Sequence, residues 1–138
     1  MPLFEQVLDK YPDSVKVVFK HYPLSFHKQA FSAALASMAA AEQGKFWEYH
    51  DELFLNQNSL SNEKYQEIAQ SLGLDMKKFS LDIMRPSLRQ KVELDVADAQ
   101  KAGVTGTPTI FVNGRKLKSR DFTGISKLID DELAEEKK

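Results

Sequence analysis

The stretch of this chain that most suggests a site is GVTGTPTIFVNG, residues 103–114. It places Thr107-Pro108 between a glycine and a β-branched, aromatic run that ends in Asn113-Gly114. An X-Pro bond is cis in roughly one case in twenty in folded proteins, so these residues alone favour trans. The chemistry this loop cannot perform is clear, because the 138 residues include no cysteine. Disulfides, cysteine-ligated zinc and thiolate catalysis by this chain are excluded.

The other groups with chemical potential have plainer readings. His21, His27 and His50 have Glu48, Asp51 and Glu52 in the same part of the chain. Their spacing matches no recognised metal pattern, and the run HDEL is not a zinc-hydrolase motif. They read as ordinary surface or loop histidines. Trp47 and its aromatic neighbours read as helix packing rather than a ligand pocket. Met76, Met84 and Phe79 read as core filling rather than a peptide-binding surface. Arg115, Lys116, Lys118 and Arg120 form a small basic patch, read as a solvated edge that discourages strand pairing.

These residues need elements to hold them. Leu3, Phe4, Val7, Leu8 and Tyr11 fall on one helical face, with no capping residue ahead of them, and Tyr11-Pro12-Asp13 stops the helix. VKVVFKH, residues 15–21, predicts a short central strand buried on both faces. A helical block follows over residues 26–102. HKQAFSAALASMAAAEQG closes on Gly44, and KFWEYHDELFLNQ offers Phe46, Trp47, Leu53 and Phe54 to a core. Ser61 and Asp75 are placed to cap the next two helices, and Pro86 opens a last one with Leu88, Val92, Val96 and Ala99 in a stripe. The period then changes. TIFV is a strand, Asn113-Gly114 a two-residue hairpin turn, and RKLKS the return. DFTGISKLIDDELAEE is a helix with Phe122, Ile125, Ile129 and Leu133 on one side, locally weakened by Gly124. The tail EEKK is frayed and solvated.

The bulk numbers narrow the function. A chain of 138 residues suffices for one domain with a hydrophobic core. Its 19 basic and 20 acidic residues give no support to nucleic acid as a partner. No apolar run approaches the length needed to span a membrane, and the N-terminus lacks the basic-then-apolar order of a signal peptide. The lack of cysteine is silent about compartment.

With these segments in order, the sequence resembles the DsbA-like thiol-disulfide oxidoreductases of the thioredoxin fold along essentially its whole length. KYPDSVKVVFKHYPLSFHKQA resembles the family's second strand and the start of its helical insertion. AAEQGKFWEYHDELF resembles the most recognisable part of that insertion. GLDMKKF and DAQKAGVTGTPTIFVNGR resemble the run into the substrate loop. The resemblance implies an α/β, thioredoxin-like fold with a helical insertion, forming a single domain over 1–138. Its parts would be residues 1–21 (end of the first helix plus a strand), 22–102 (helical insertion and connecting helix) and 103–138 (loop, hairpin and C-terminal helix). It also implies a cis bond at Pro108, which turns the Thr107 backbone outward to pair with an extended substrate.

The departure from the family is equally definite. Members carry Cys-x-x-Cys at the start of the first helix, where the helix N-terminus lowers the thiolate pKa. Here the resemblance implies that the first strand and both cysteines are missing, leaving about three strands. Only Thr107 and Pro108 carry over, as substrate-binding residues; no catalytic residue, cofactor or metal does. The expected partners are extended or unfolded proteins. A second copy of the chain joined through the strand edges is one expected outcome of the missing strand, and closure of those edges is the other. Family members suggest a periplasmic or exported setting. Three readings follow: a truncated oxidoreductase, inactive in thiol exchange as it stands; a non-catalytic peptide-binding module; and a relative of the kappa-type glutathione transferases, which has no positive residue support.

Overall fold

The structure, a computed structural model, describes residues 2–25 and 27–136. The expectations for Phe26 at the start of the helical block, and for Lys137 and Lys138 of the tail, lie outside the described residues. The elements in chain order are Pro2–Lys10 (α1), Ala30–Ala41 (α2), Phe46–Leu55 (α3), Asn62–Ser71 (α4), Met76–Ile83 (α5), Pro86–Lys101 (α6), Phe111–Val112 (β1), Arg115–Lys116 (β2) and Phe122–Glu136 (α7). They form two compact units. One joins Met1–Phe19 to Val104–Lys138, and the other is Lys20–Gly103.

The first unit is built from the two separated parts of the chain. The apolar stripe of α1 meets that of α7, burying Val7 and Tyr11 with Ile125, Ile129 and Leu117; Ile110, Val112 and Val15 pack against them. Leu8, grouped with this stripe by spacing, is instead 40% exposed. The Tyr11 hydroxyl donates to the Asp130 carboxylate at 2.6 Å, which ties the end of α1 to the middle of α7. Asp121 accepts the backbone N–H of Gly124 at 2.6 Å and so caps α7. Gly124 is more than a weak point in that helix. A β-carbon there would stand 2.5 Å from the Ser119 carbonyl oxygen, so the close approach of the preceding loop needs a glycine.

The expected strand over residues 15–21 is a correction. No sheet pairing forms there, and among the described residues the sheet has two strands rather than about three. Exposure still alternates, with Val15 and Val17 half-buried and Lys16 exposed. Val18 is 63% exposed, so burial on both faces is also overturned. The β-branched residues supply the extended shape, but a strand needs a neighbour to accept its backbone bonds.

The second unit is helical. Fully buried Ala36, Ala39 and Ala40 on α2 leave room for the rings of Tyr49, Tyr65 and Phe79. Ser61 and Asp75 cap α4 and α5, each accepting a backbone N–H at 3.1 Å, from Lys64 and Lys78. Pro86 occupies the first turn of α6. Three expectations fail here. Met84 is 73% exposed and Phe54 58% exposed rather than in the core, and Trp47 is partly exposed beside Phe46 and His50. His21 lies in a loop, as read, but is buried, and His50 is buried on α3. Phe54 and Trp47 lie on α3, whose buried positions are Tyr49 and His50, and Met84 follows the end of α5.

Asp95 on α6 is fully buried and held by three partners. It accepts from Lys91 Nζ at 2.7 Å and from the His21 backbone N–H at 3.0 Å, and Lys20 Nζ lies 3.8 Å away. The His21 ring packs edge-on to Phe46. Burial lowers its pKa below the ordinary 6.5; the Asp95 carboxylate opposes that shift, while Lys91 and His50 reinforce it. The unfolded chain therefore takes up a proton near pH 6.5 that the folded chain does not. Stability from this group is complete above that pH and declines as pH falls from there toward the folded-state value. Urea midpoints measured between pH 7.5 and 5 are expected to fall, and His21→Phe, which cannot take up the proton, is expected to reduce that fall.

Candidate functional site

The loop between α6 and β1 is fixed at several points. The peptide bond joining Thr107 and Pro108 is cis. Both residues are exposed. Thr109 Oγ1 donates to the Gly106 carbonyl at 2.7 Å and closes a short turn around the pair. Arg120 Nη1 donates to the Pro108 carbonyl at 3.1 Å, so the residues just before α7 hold the loop from the other side.

The hairpin next to this loop follows from its turn. Asn113 and Gly114 have φ of 47° and 81°, the left-handed pair that a two-residue hairpin turn requires. Phe111 pairs with Lys116 and Val112 with Arg115. Leu117 donates to the Ile110 carbonyl at 2.8 Å, which extends the ladder. In an antiparallel pair, residues alternate between bonding across and bonding outward. Ile110 and Val112 face β2, so the amide and carbonyl of Phe111 face the opposite edge. Among the described residues no strand pairs with that edge. Alternation also sorts the side chains. Ile110, Val112 and Leu117 enter the core, while Phe111 is 37% exposed on the other face.

The basic patch read from the sequence has three different fates. Arg115 turns to Glu132 on α7 at 3.3 Å. Arg120 serves the loop. Lys116 and Lys118 are exposed, and no ion pair forms with either among the described residues. Of the sequence candidates, Thr107 and Pro108 therefore lie together on one exposed loop, held by Arg120. The role of Arg120 had no local signal in the sequence, because its partner lies 12 residues away across a hairpin. The histidines belong to the helical unit, and among the described residues no three His, Asp or Glu side chains gather as metal ligands would. No helix among the described residues is long and apolar enough to cross a membrane.

Comparison with known proteins bears on the family and the fold. A family model described as Thioredoxin matches residues 2–131. The chain is similar to a Na(+)/H(+) antiporter NhaA of Herminiimonas arsenicoxydans, 41% identical over 106 residues, which covers 77% of this chain and 17% of that protein. It is also similar to antiporters of Mycolicibacterium gilvum, 37% identical with 81% and 19% covered, and Salinispora tropica, 40% identical with 83% and 18% covered. The chain thus spans less than a fifth of the length of these relatives. Among solved structures, a thioredoxin-like oxidoreductase from Silicibacter pomeroyi superposes with a TM-score of 0.81 at 24% identity, covering 97% of this chain and 77% of the other. The oxidoreductase DsbA from Xylella fastidiosa gives 0.71 at 22% identity, covering 96% and 79%. The fold is thioredoxin-like, mostly helical with a small two-stranded sheet.

Arg120→Ala is expected to free the loop locally. Amide exchange should quicken over residues 106–110, with a cost in global stability of at most about 1 kcal/mol for one exposed hydrogen bond.

Proposed function

This chain belongs to the thioredoxin family, and we propose that it supplies the polypeptide-holding part of a DsbA-like disulfide oxidoreductase site while carrying no thiol of its own. One observation carries the reading. Thr107 and Pro108 are exposed, and the hydrogen bonds of Thr109 and Arg120 hold the loop that presents them. A loop held this way can accept an extended polypeptide against the Thr107 backbone. Unfolded proteins with exposed backbone are the substrate class, and an exported, oxidising compartment is the setting. Thiol exchange at this site requires cysteines from outside the 138 residues, because exchange proceeds by thiolate attack.

A second reading rests on the antiporter relatives. Their identities of 37–41% exceed the 22–24% of the solved oxidoreductases. In that reading the chain is an extramembrane segment working with a cation-transporting protein, and its loop binds a polypeptide of that assembly. Native gel mass and co-purification from the source cells separate the two readings.

The purified 138-residue chain is expected to show no reduction of insulin disulfides by dithiothreitol above the uncatalysed rate. Turnover above that rate would overturn the assignment of a thiol-free role.

A further inference from the structure

Asn113-Gly114 specifies the hairpin turn, and it is also a pair with covalent chemistry of its own. The asparagines of the chain are Asn56, Asn58, Asn62 and Asn113, and only Asn113 is followed by glycine. Asn113 and Gly114 are both exposed. A β-carbon placed on Gly114 would meet nothing within 4 Å, so the turn is uncrowded there. Neither the Asn113 side chain nor the Gly114 N–H has a hydrogen-bond partner among the described residues. The side-chain amide of Asn56, in contrast, is held on the Glu52 carbonyl at 2.8 Å, and Asn62 is the first residue of α4.

An asparagine side chain and the next backbone nitrogen are one ring closure apart. A side chain on the following residue crowds that nitrogen and narrows its backbone freedom, and glycine does neither. We propose that Asn113 is a modification site, at which the chain deamidates to aspartate and isoaspartate, and that the isoaspartate form loosens the hairpin. The Gly114 nitrogen loses its proton and attacks the side-chain carbonyl carbon of Asn113, and ammonia leaves. Water then opens the five-membered imide at either carbonyl. Opening at one gives aspartate; opening at the other gives isoaspartate, whose main chain runs through the former side-chain carbon. One water is consumed and one ammonia released, with no change of oxidation state.

The two products differ in what they do to the turn. Asp-Gly suits the same two-residue turn as Asn-Gly, so aspartate leaves the hairpin in place. Isoaspartate inserts one more atom into the main chain between Val112 and Arg115, the pair that closes the turn. Turn geometry fixes the register, and register decides which side chains face the core. Ile110, Val112 and Leu117 reach the core through that register, and Arg115 reaches Glu132 at 3.3 Å.

The test holds the full chain in mildly alkaline buffer, where the Gly114 nitrogen loses its proton more readily. The free peptide of residues 102–115, which trypsin also releases from the chain, is incubated beside it. Chromatography and mass spectrometry of that fragment separate the asparagine, aspartate and isoaspartate forms. Conversion at Asn113 in the folded chain is expected to be at least about tenfold faster than at Asn56, Asn58 or Asn62, because no side chain follows it. Gly114→Ala should slow conversion in the chain and in the free peptide alike, the peptide having no fold to lose. Amide exchange at Leu117 should quicken in the isoaspartate fraction and stay unchanged in Asn113→Asp, whose folding circular dichroism checks. Conversion in the free peptide with none in the folded chain would overturn the proposal, by showing that the turn protects its own asparagine. Equal conversion at every asparagine would overturn it as well. Leu117 exchange that is the same in the isoaspartate fraction and the unmodified chain would overturn the effect on the hairpin.

Discussion

The first unit depends on the contact between α1 and α7. Val7 and Tyr11 belong to the beginning of the chain and Ile125 and Ile129 to its far end, yet they form one core with Leu117 of the hairpin. Bringing such distant segments together costs entropy, but the cost grows only logarithmically with the length between them. Each large apolar side chain fully buried there stabilises by about 1.5–3 kcal/mol. A unit of two helices and a hairpin has few such side chains, so each matters more than it would in a larger core. The hydroxyl of Tyr11 on Asp130 fixes the register of the contact, which burial alone would leave loose. Once α7 is fixed, the residues before it are fixed too, and with them Arg120 and the loop carbonyl it holds.

The same core orients the hairpin. Ile110, Val112 and Leu117 are drawn into the apolar interior. Strand alternation then turns Phe111 and Lys116 to the other face. The loop ahead of the hairpin is held from both sides, by Thr109 on the Gly106 carbonyl and by Arg120 on the Pro108 carbonyl.

Much of the helical architecture is legible in the sequence because it is decided within a few residues. Ser61, Asp75 and Pro86 mark helix starts by their own hydrogen-bonding chemistry, and all three act where expected. Asn113-Gly114 specifies its turn by backbone conformation alone. The strand expected at residues 15–21 failed for the opposite reason. Strand formation is settled by a neighbour, and local β-propensity does not report whether one is there. Trp47, Phe54 and Met84 were misplaced because periodicity shows which residues share a face, not which face is covered. The burial of Asp95 was hidden for a related reason. The Lys91–Asp95 spacing signals a helical ion pair, but not that His21 would arrive to bury it. At the site itself, Thr107 and Pro108 stood out from resemblance, whereas Arg120 required the fold that brings it to the Pro108 carbonyl.

The central claim is that the exposed loop at Thr107 and Pro108 takes an extended polypeptide. Amide hydrogen exchange at Thr107, followed by NMR with and without an extended peptide, tests it directly. The account predicts rapid exchange in the free chain and protection once peptide is present, with the Ile110–Leu117 ladder unchanged. Continued rapid exchange at Thr107 with peptide bound would contradict it.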